Sequence, residues 1–89
     1  MKIPNKVKIQ GRTYKVQIQK ETDIVSNDCG KSLRNKGLIA IDADLIQGEK
    51  EITFFHEVIH LLNGELKETE CEWMAGAIYG FLKDNNLIT

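Results

Sequence analysis

Phe54-Phe55-His56-Glu57-Val58-Ile59-His60-Leu61-Leu62 is the stretch that decides how this chain reads. Ile52, Phe55, Ile59 and Leu62 recur at spacings of three and four, which predicts an amphipathic helix starting at about Glu49. Glu49 and Glu51 suit its positive N-terminal end, and Asn63-Gly64 reads as its C-cap. Residues four apart share a helix face, so His56 and His60 can close on one metal ion. Glu57 then points beside the ion, toward a bound water. Zinc takes neutral imidazole nitrogens readily and lowers the pKa of a bound water to about 7, so a neighbouring carboxylate can accept the water's proton as it attacks a carbonyl. The same pentapeptide also arises by chance on amphipathic helices with surface histidines.

Working toward the C-terminus, Cys71, Met74, Ala75, Ile78 and Leu82 form a second helical pattern that runs to about Asp84. The connection is short, and short connections make antiparallel neighbours. If the turn centres near Gly64, Glu68 falls opposite His60 and Glu72 opposite His56. Their spacing of four puts both carboxylates on one face, while Glu70 points elsewhere. Glu68 is therefore the expected third ligand, and Glu72 the expected acceptor for the other ring N–H of His56. The competing reading is that Glu65, Glu68, Glu70 and Glu72 form only a solvated acidic helix start, favoured by the dipole.

Working toward the N-terminus, Val7 and Ile9, then Tyr14, Val16 and Ile18, alternate with Lys and Gln at period two. Gly11-Arg12 sits between them as a turn, which predicts a hairpin with one wet face. Residues 23–26 can add a short extended piece. Asn27-Asp28-Cys29-Gly30 and Arg34-Asn35-Lys36-Gly37 read as an irregular exposed loop, and its charges Lys31, Arg34 and Lys36 as solvated. Alternation resumes at Leu38-Ile39-Ala40-Ile41-Asp42. The expected class is α+β, a small antiparallel sheet made of the hairpin and an edge strand, followed by two antiparallel helices. Phe54, Phe55, Trp73 and Phe81 sit at helical spacing and read as core. Tyr79 lies too many turns from Glu68 to serve as an oxyanion donor.

Eighty-nine residues make a single domain, 1–89, with one small core and no room for the two-lobed cleft of a large peptidase. Twelve basic and 13 acidic residues leave a net charge of −1, so charge makes no case for nucleic acid or an anionic membrane as partner. No apolar run has signal-peptide or membrane-span length, which gives a cytoplasmic expectation. Cys29 and Cys71 are far apart and fit reduced thiols, with Cys71 read as a small core residue.

His56-Glu57-x-x-His60 followed by Glu68-x-x-x-Glu72-x-x-Ala75 resembles the two-helix core of the gluzincins, the glutamate-type zinc metallopeptidases. In that pattern Glu68 matches the ligand and Ala75 the small residue, whereas Glu72 replaces the usual Asp or Asn. The C-terminal run Ala75-Gly76-Ala77-Ile78-Tyr79-Gly80-Phe81-Leu82-Lys83-Asp84-Asn85 is similar to short phage and mobile-element proteins of the ImmA/IrrE-like kind. The resemblance implies a minimal zincin-like fold, Zn2+ as cofactor, a peptide or protein substrate and Glu57 as general base. It also implies an edge strand beside the cleft that holds extended substrate by main-chain pairing, with Leu38 to Asp42 as candidate; the competing reading is an ordinary strand that contributes Ile39 and Ile41 to the core. The alternative function is a catalytically silent, zinc-stabilised binding or regulatory module acting through a protein partner.

Overall fold

The computed structural model describes residues 1–20 and 29–89. The extended piece expected at residues 23–26 lies outside the described residues. The strands are β1 (Lys6–Ile9), β2 (Arg12–Gln19), β3 (Gly30–Leu33) and β4 (Leu38–Asp42); the helices are α1 (Gln47–Leu62) and α2 (Glu68–Asp84). The class is α+β, with the helices antiparallel: contacts climb them in step, from His60 with Glu68 to Glu51 with Tyr79.

β1 and β2 form the expected hairpin, but its turn is Gln10-Gly11, one residue earlier than the sequence reading, with Arg12 already paired to Ile9. Both turn residues have positive φ, 50° and 85°, the backbone that a two-residue hairpin loop demands. The side chain of Gln10 then donates to the Leu62 carbonyl at 3.4 Å.

The strand order is β1-β2-β4-β3. The β1/β2 and β3/β4 pairs are antiparallel, but β2 and β4 run parallel, so the sheet is mixed instead of wholly antiparallel. Leu38–Asp42 is an interior strand, not the edge, and Ile39 to Asp42 are all buried. Among the described strands the edges are β1 and β3, and β3, the one beside the histidines of α1, is presented by the sequence as a loop. Gly, Lys and Ser have poor strand propensity, so pairing and packing, not local preference, fix this strand.

Register and pleat put Tyr14, Val16, Ile39 and Ile41 on one face, where they meet Phe54 and Leu61 of α1. Ile39 and Ile41 are fully buried and contribute about 1.5–3 kcal/mol each. Lys15, Gln17 and Lys31 alternate onto the opposite face. On its far side α1 meets α2 through Ile59, Cys71 and Ala75. Helix α1 is therefore the middle layer and α2 the outer one. This overturns the core reading of two aromatics: Trp73 and Phe81 are 73% and 60% exposed, on the face of α2 that turns away from α1. Phe54 is core, and Phe55 packs at the interhelical seam.

Side chains hold the helix ends. Arg34 donates from Nη2 to the Leu61 carbonyl at 2.9 Å, satisfying an acceptor that the last turn of α1 leaves open. Glu70 accepts from the Lys67 backbone N–H at 2.9 Å, so its carboxylate turns back to the N-terminus of α2. Buried Glu51 ties three segments together, accepting from the Met1 ammonium at 3.0 Å and the Tyr79 hydroxyl at 3.1 Å. Burial pushes this carboxyl up, but its bonds to the Met1 ammonium, Gln47 and Tyr79 outweigh that and hold it below the usual range. Among the described residues no helix is long and apolar enough to cross a membrane.

Gly30 sets how closely β3 and α1 approach. A Cβ there would lie 2.6 Å from Thr53 Cγ2 and 2.8 Å from the Ala40 carbonyl oxygen. Gly30→Ala is expected to destabilise by about 1–3 kcal/mol, the range of overpacking. Gly76→Ala, on an open face of α2 with nothing within 4 Å, is expected to stabilise by about 0.5–1 kcal/mol. Urea denaturation of the two variants reads both signs; equal midpoints would show that β3 does not depend on close approach.

Candidate metal centre

Helix α1 puts His56 and His60 one turn apart, with ring centroids 4.8 Å from each other and Nε2 atoms 3.0 Å apart. Glu68 opens α2 and turns its carboxylate onto both rings, with Oε1 2.6 Å from His56 Nε2 and Oε2 2.9 Å from His60 Nε2. The two imidazoles are mostly buried and the carboxylate is exposed, so the group is reached from the Glu68 side. Among the described residues this is the cluster of His, Cys, Asp and Glu whose potential ligand atoms lie close enough together, within 4.8 Å, to hold a metal ion.

The donor set suits zinc, two imidazole nitrogens and one carboxylate oxygen with a side left open. A tetrahedral ion with bonds of about 2.0–2.1 Å holds its ligand atoms about 3.3 Å apart. The observed separations of 3.0, 2.6 and 2.9 Å need to open by about 0.3–0.7 Å to reach it. Ligation through Nε2 leaves each Nδ1 to carry the proton. For His60, Nδ1 faces the Cys71 sulfur at 3.4 Å, and Cys71 lies wholly buried beneath the ring. Burial, reinforced by the charges of Glu68, Glu57 and Glu70, pushes that thiol up, so it stays protonated and can accept an N–H from the ring. The position read from sequence as plain core is thus also the support that orients His60.

Glu57 lies one residue past His56, 6% exposed and against β3. Burial raises its pKa, and the positive charge available on His56 and His60 and a hydrogen bond from Ser32 pull the other way; the net direction is up. A carboxylate raised and held in this way is a better proton acceptor near neutral pH.

Two clefts meet at this centre and share Gly30, Glu57 and Glu68 in their walls. The larger, of about 470 Å³, opens on the His60 side along Ser32 and Arg34. The smaller, of about 230 Å³, opens on the His56 side toward Glu49, Ile52, Thr53 and Glu72. Glu72 makes no hydrogen bond to His56, in contrast to the expected supporting role; it lines the smaller cleft instead. Tyr79 is engaged with Glu51 and does not reach the group. Gly30 and Ser32 escape the sequence reading because they belong to the strand edge that reads as a loop, and Arg34, in the 3-10 turn after it, reads as a solvated charge. The small residues at alternate positions, Gly30 and Ser32, are the one trace of a strand face pressed against a helix.

No family model matches this chain, and neither does any curated protein or solved structure.

The three glutamates at the start of α2 are expected to separate cleanly by zinc titration. Glu68→Gln should weaken zinc by more than about 100-fold, beyond the range of an outer partner, and Glu72→Gln by less than about 10-fold. Glu70→Gln should leave affinity unchanged and cost about 0.5–1 kcal/mol of stability through the helix end. Equal affinity in the Glu68 variant would remove that residue from the site.

Proposed function

We propose that this chain is a minimal zinc-dependent metallopeptidase of gluzincin type, acting on extended peptide segments. The observation that carries the reading is the convergence of His56, His60 and Glu68 at the meeting point of two clefts, with buried Glu57 alongside. Zinc bound there supplies Lewis acidity, acidifying water and polarising the scissile carbonyl. Glu57 accepts the proton of the attacking water and returns it to the leaving amine nitrogen. Ser32 holds the Glu57 carboxylate in line, and Cys71 fixes the orientation of His60.

Strand β3 supplies the substrate's backbone partners. Antiparallel pairs alternate between bonded and unbonded, and the Asp42 N–H bond to the Cys29 carbonyl sets the phase. Gly30 and Ser32 consequently turn their N–H and C=O groups away from β4, on the side of β3 that no other described strand covers, with Gly30 lining both clefts and Ser32 the His60 one. A peptide added there is held by main-chain bonds irrespective of its sequence. The proposed setting is the cytoplasm, for which the two widely spaced cysteines are the support.

The test is metal dependence of cleavage. Protein stripped by chelator and then reloaded with zinc is incubated with unfolded casein, and the peptides are read by mass spectrometry. New peptides are expected only in the reloaded sample. Identical profiles with zinc occupancy confirmed would replace this reading with a silent, zinc-stabilised binding module.

A further inference from the structure

The two clefts differ in charge. Apart from the shared Glu57 and Glu68, the His60 cleft carries Lys31 and Arg34, and the His56 cleft carries Glu49 and Glu72. Lys31 contributes mainly its peptide group, because Gly30 and Ser32 face α1 and strand alternation sends the intervening side chain to the opposite face. Arg34 is different. Its bond to the Leu61 carbonyl anchors the guanidinium in the cleft wall and uses one of five N–H donors. Arg34 is nevertheless exposed, so its remaining donors are open to a ligand in the cleft. The charge is permanent and its remaining donors match a carboxylate in shape.

The direction of β3 turns this asymmetry into a substrate rule. Cys29 lines the His56 cleft, and Ser32 and Arg34 line the His60 cleft, so the strand runs from the first toward the second. A peptide pairing antiparallel to it runs the opposite way. Its residues before the scissile bond lie beside Arg34, and those after it lie beside Glu49 and Glu72.

We propose that Arg34 on one side, and Glu49 with Glu72 on the other, select peptides that are acidic before the scissile bond and basic after it. The inference rests on the metallopeptidase reading for the position of the scissile bond, but the charge pattern acts on binding alone.

Two peptides of identical composition separate the possibilities. One has two aspartates before and two lysines after a central Ala-Leu pair, and the other has the charged pairs exchanged. Binding is read by fluorescence anisotropy on zinc-loaded Glu57→Gln protein, and cleavage by mass spectrometry on zinc-loaded wild type. The acidic-first peptide is expected to bind about 5- to 10-fold more tightly than its reverse, a margin that shrinks as salt is raised. Arg34→Gln keeps a donor for the Leu61 carbonyl and removes the charge, so it should lose the preference on the aspartate side and keep the fold. Glu49→Lys should turn the lysine preference toward aspartate. Equal binding of the two peptides, a preference for the reverse, or a preference unmoved by Arg34→Gln would overturn the charge rule. If those results came with cleavage intact, the metallopeptidase reading would stand alone. Ordered binding without any cleavage would instead sustain the charge rule and overturn the activity.

Discussion

His60→Ala protein is expected to contain no zinc under conditions where the wild type holds one ion per chain. The Nε2 atom of this residue lies 3.0 Å from that of His56 and 2.9 Å from Glu68 Oε2, so its loss leaves one imidazole and one exposed carboxylate. Two ligands from facing helices do not make a zinc site of useful affinity, because a stable one needs three or four protein donors. The effect extends to stability. An ion that binds only the folded state, at about 100 times its Kd, adds about 2.7 kcal/mol. For a domain of this size that is about 10–20 °C in Tm. Calorimetry with and without chelator should show this gap in the wild type and none in His60→Ala. The variant should melt near the metal-free wild type, since the ring sits at the helix seam and not in the main core. Zinc retained by the variant, or a wild type that never takes up metal, would remove the centre from this protein.

The difference between what the sequence discloses and what it hides follows from how far apart the cooperating residues lie. His56, Glu57 and His60 are within one helical turn, where spacing alone sets direction. Glu68 adds only a tight reversal at Asn63-Gly64, and across that short connection the mirror argument brings Glu68 to His60 but fails for Glu72, whose place at His56 Glu68 also takes. Beyond that range, spacing says little. The parallel pairing of β2 with β4 joins segments far apart in sequence, and nothing in Leu38-Ile39-Ala40-Ile41-Asp42 distinguishes an interior neighbour from an edge. Strand β3 exists because β4 offers an edge and α1 comes close enough to require glycine at position 30. Its residues have no strand propensity of their own to display. Trp73 and Phe81 mislead for the opposite reason. They have the period of a helix, but among the described residues α2 packs chiefly on α1, and their face is left outside.

Glu57→Gln should abolish cleavage and leave zinc and fold in place. The residue belongs to none of the ligand contacts, so one zinc per chain is expected to remain. The replacement has the same shape, and its amide oxygen still accepts the hydrogen bond from Ser32. Burial and the neighbouring Glu68 already disfavour the charged form at this position, so a neutral amide is tolerated there and Tm should stay within a few degrees. What the amide cannot do is take a proton from water, and positioned acid–base groups contribute about 10²- to 10⁴-fold. The loss should therefore fall on kcat, with KM nearly unchanged, because the docking proposed above is to the β3 edge and not to this side chain. Cleavage within about 10-fold of wild type would exclude Glu57 as the base. A variant that lost its zinc as well would make Glu57 part of the site's structure, and the distinction between holding the ion and using it would then have to be drawn at another residue.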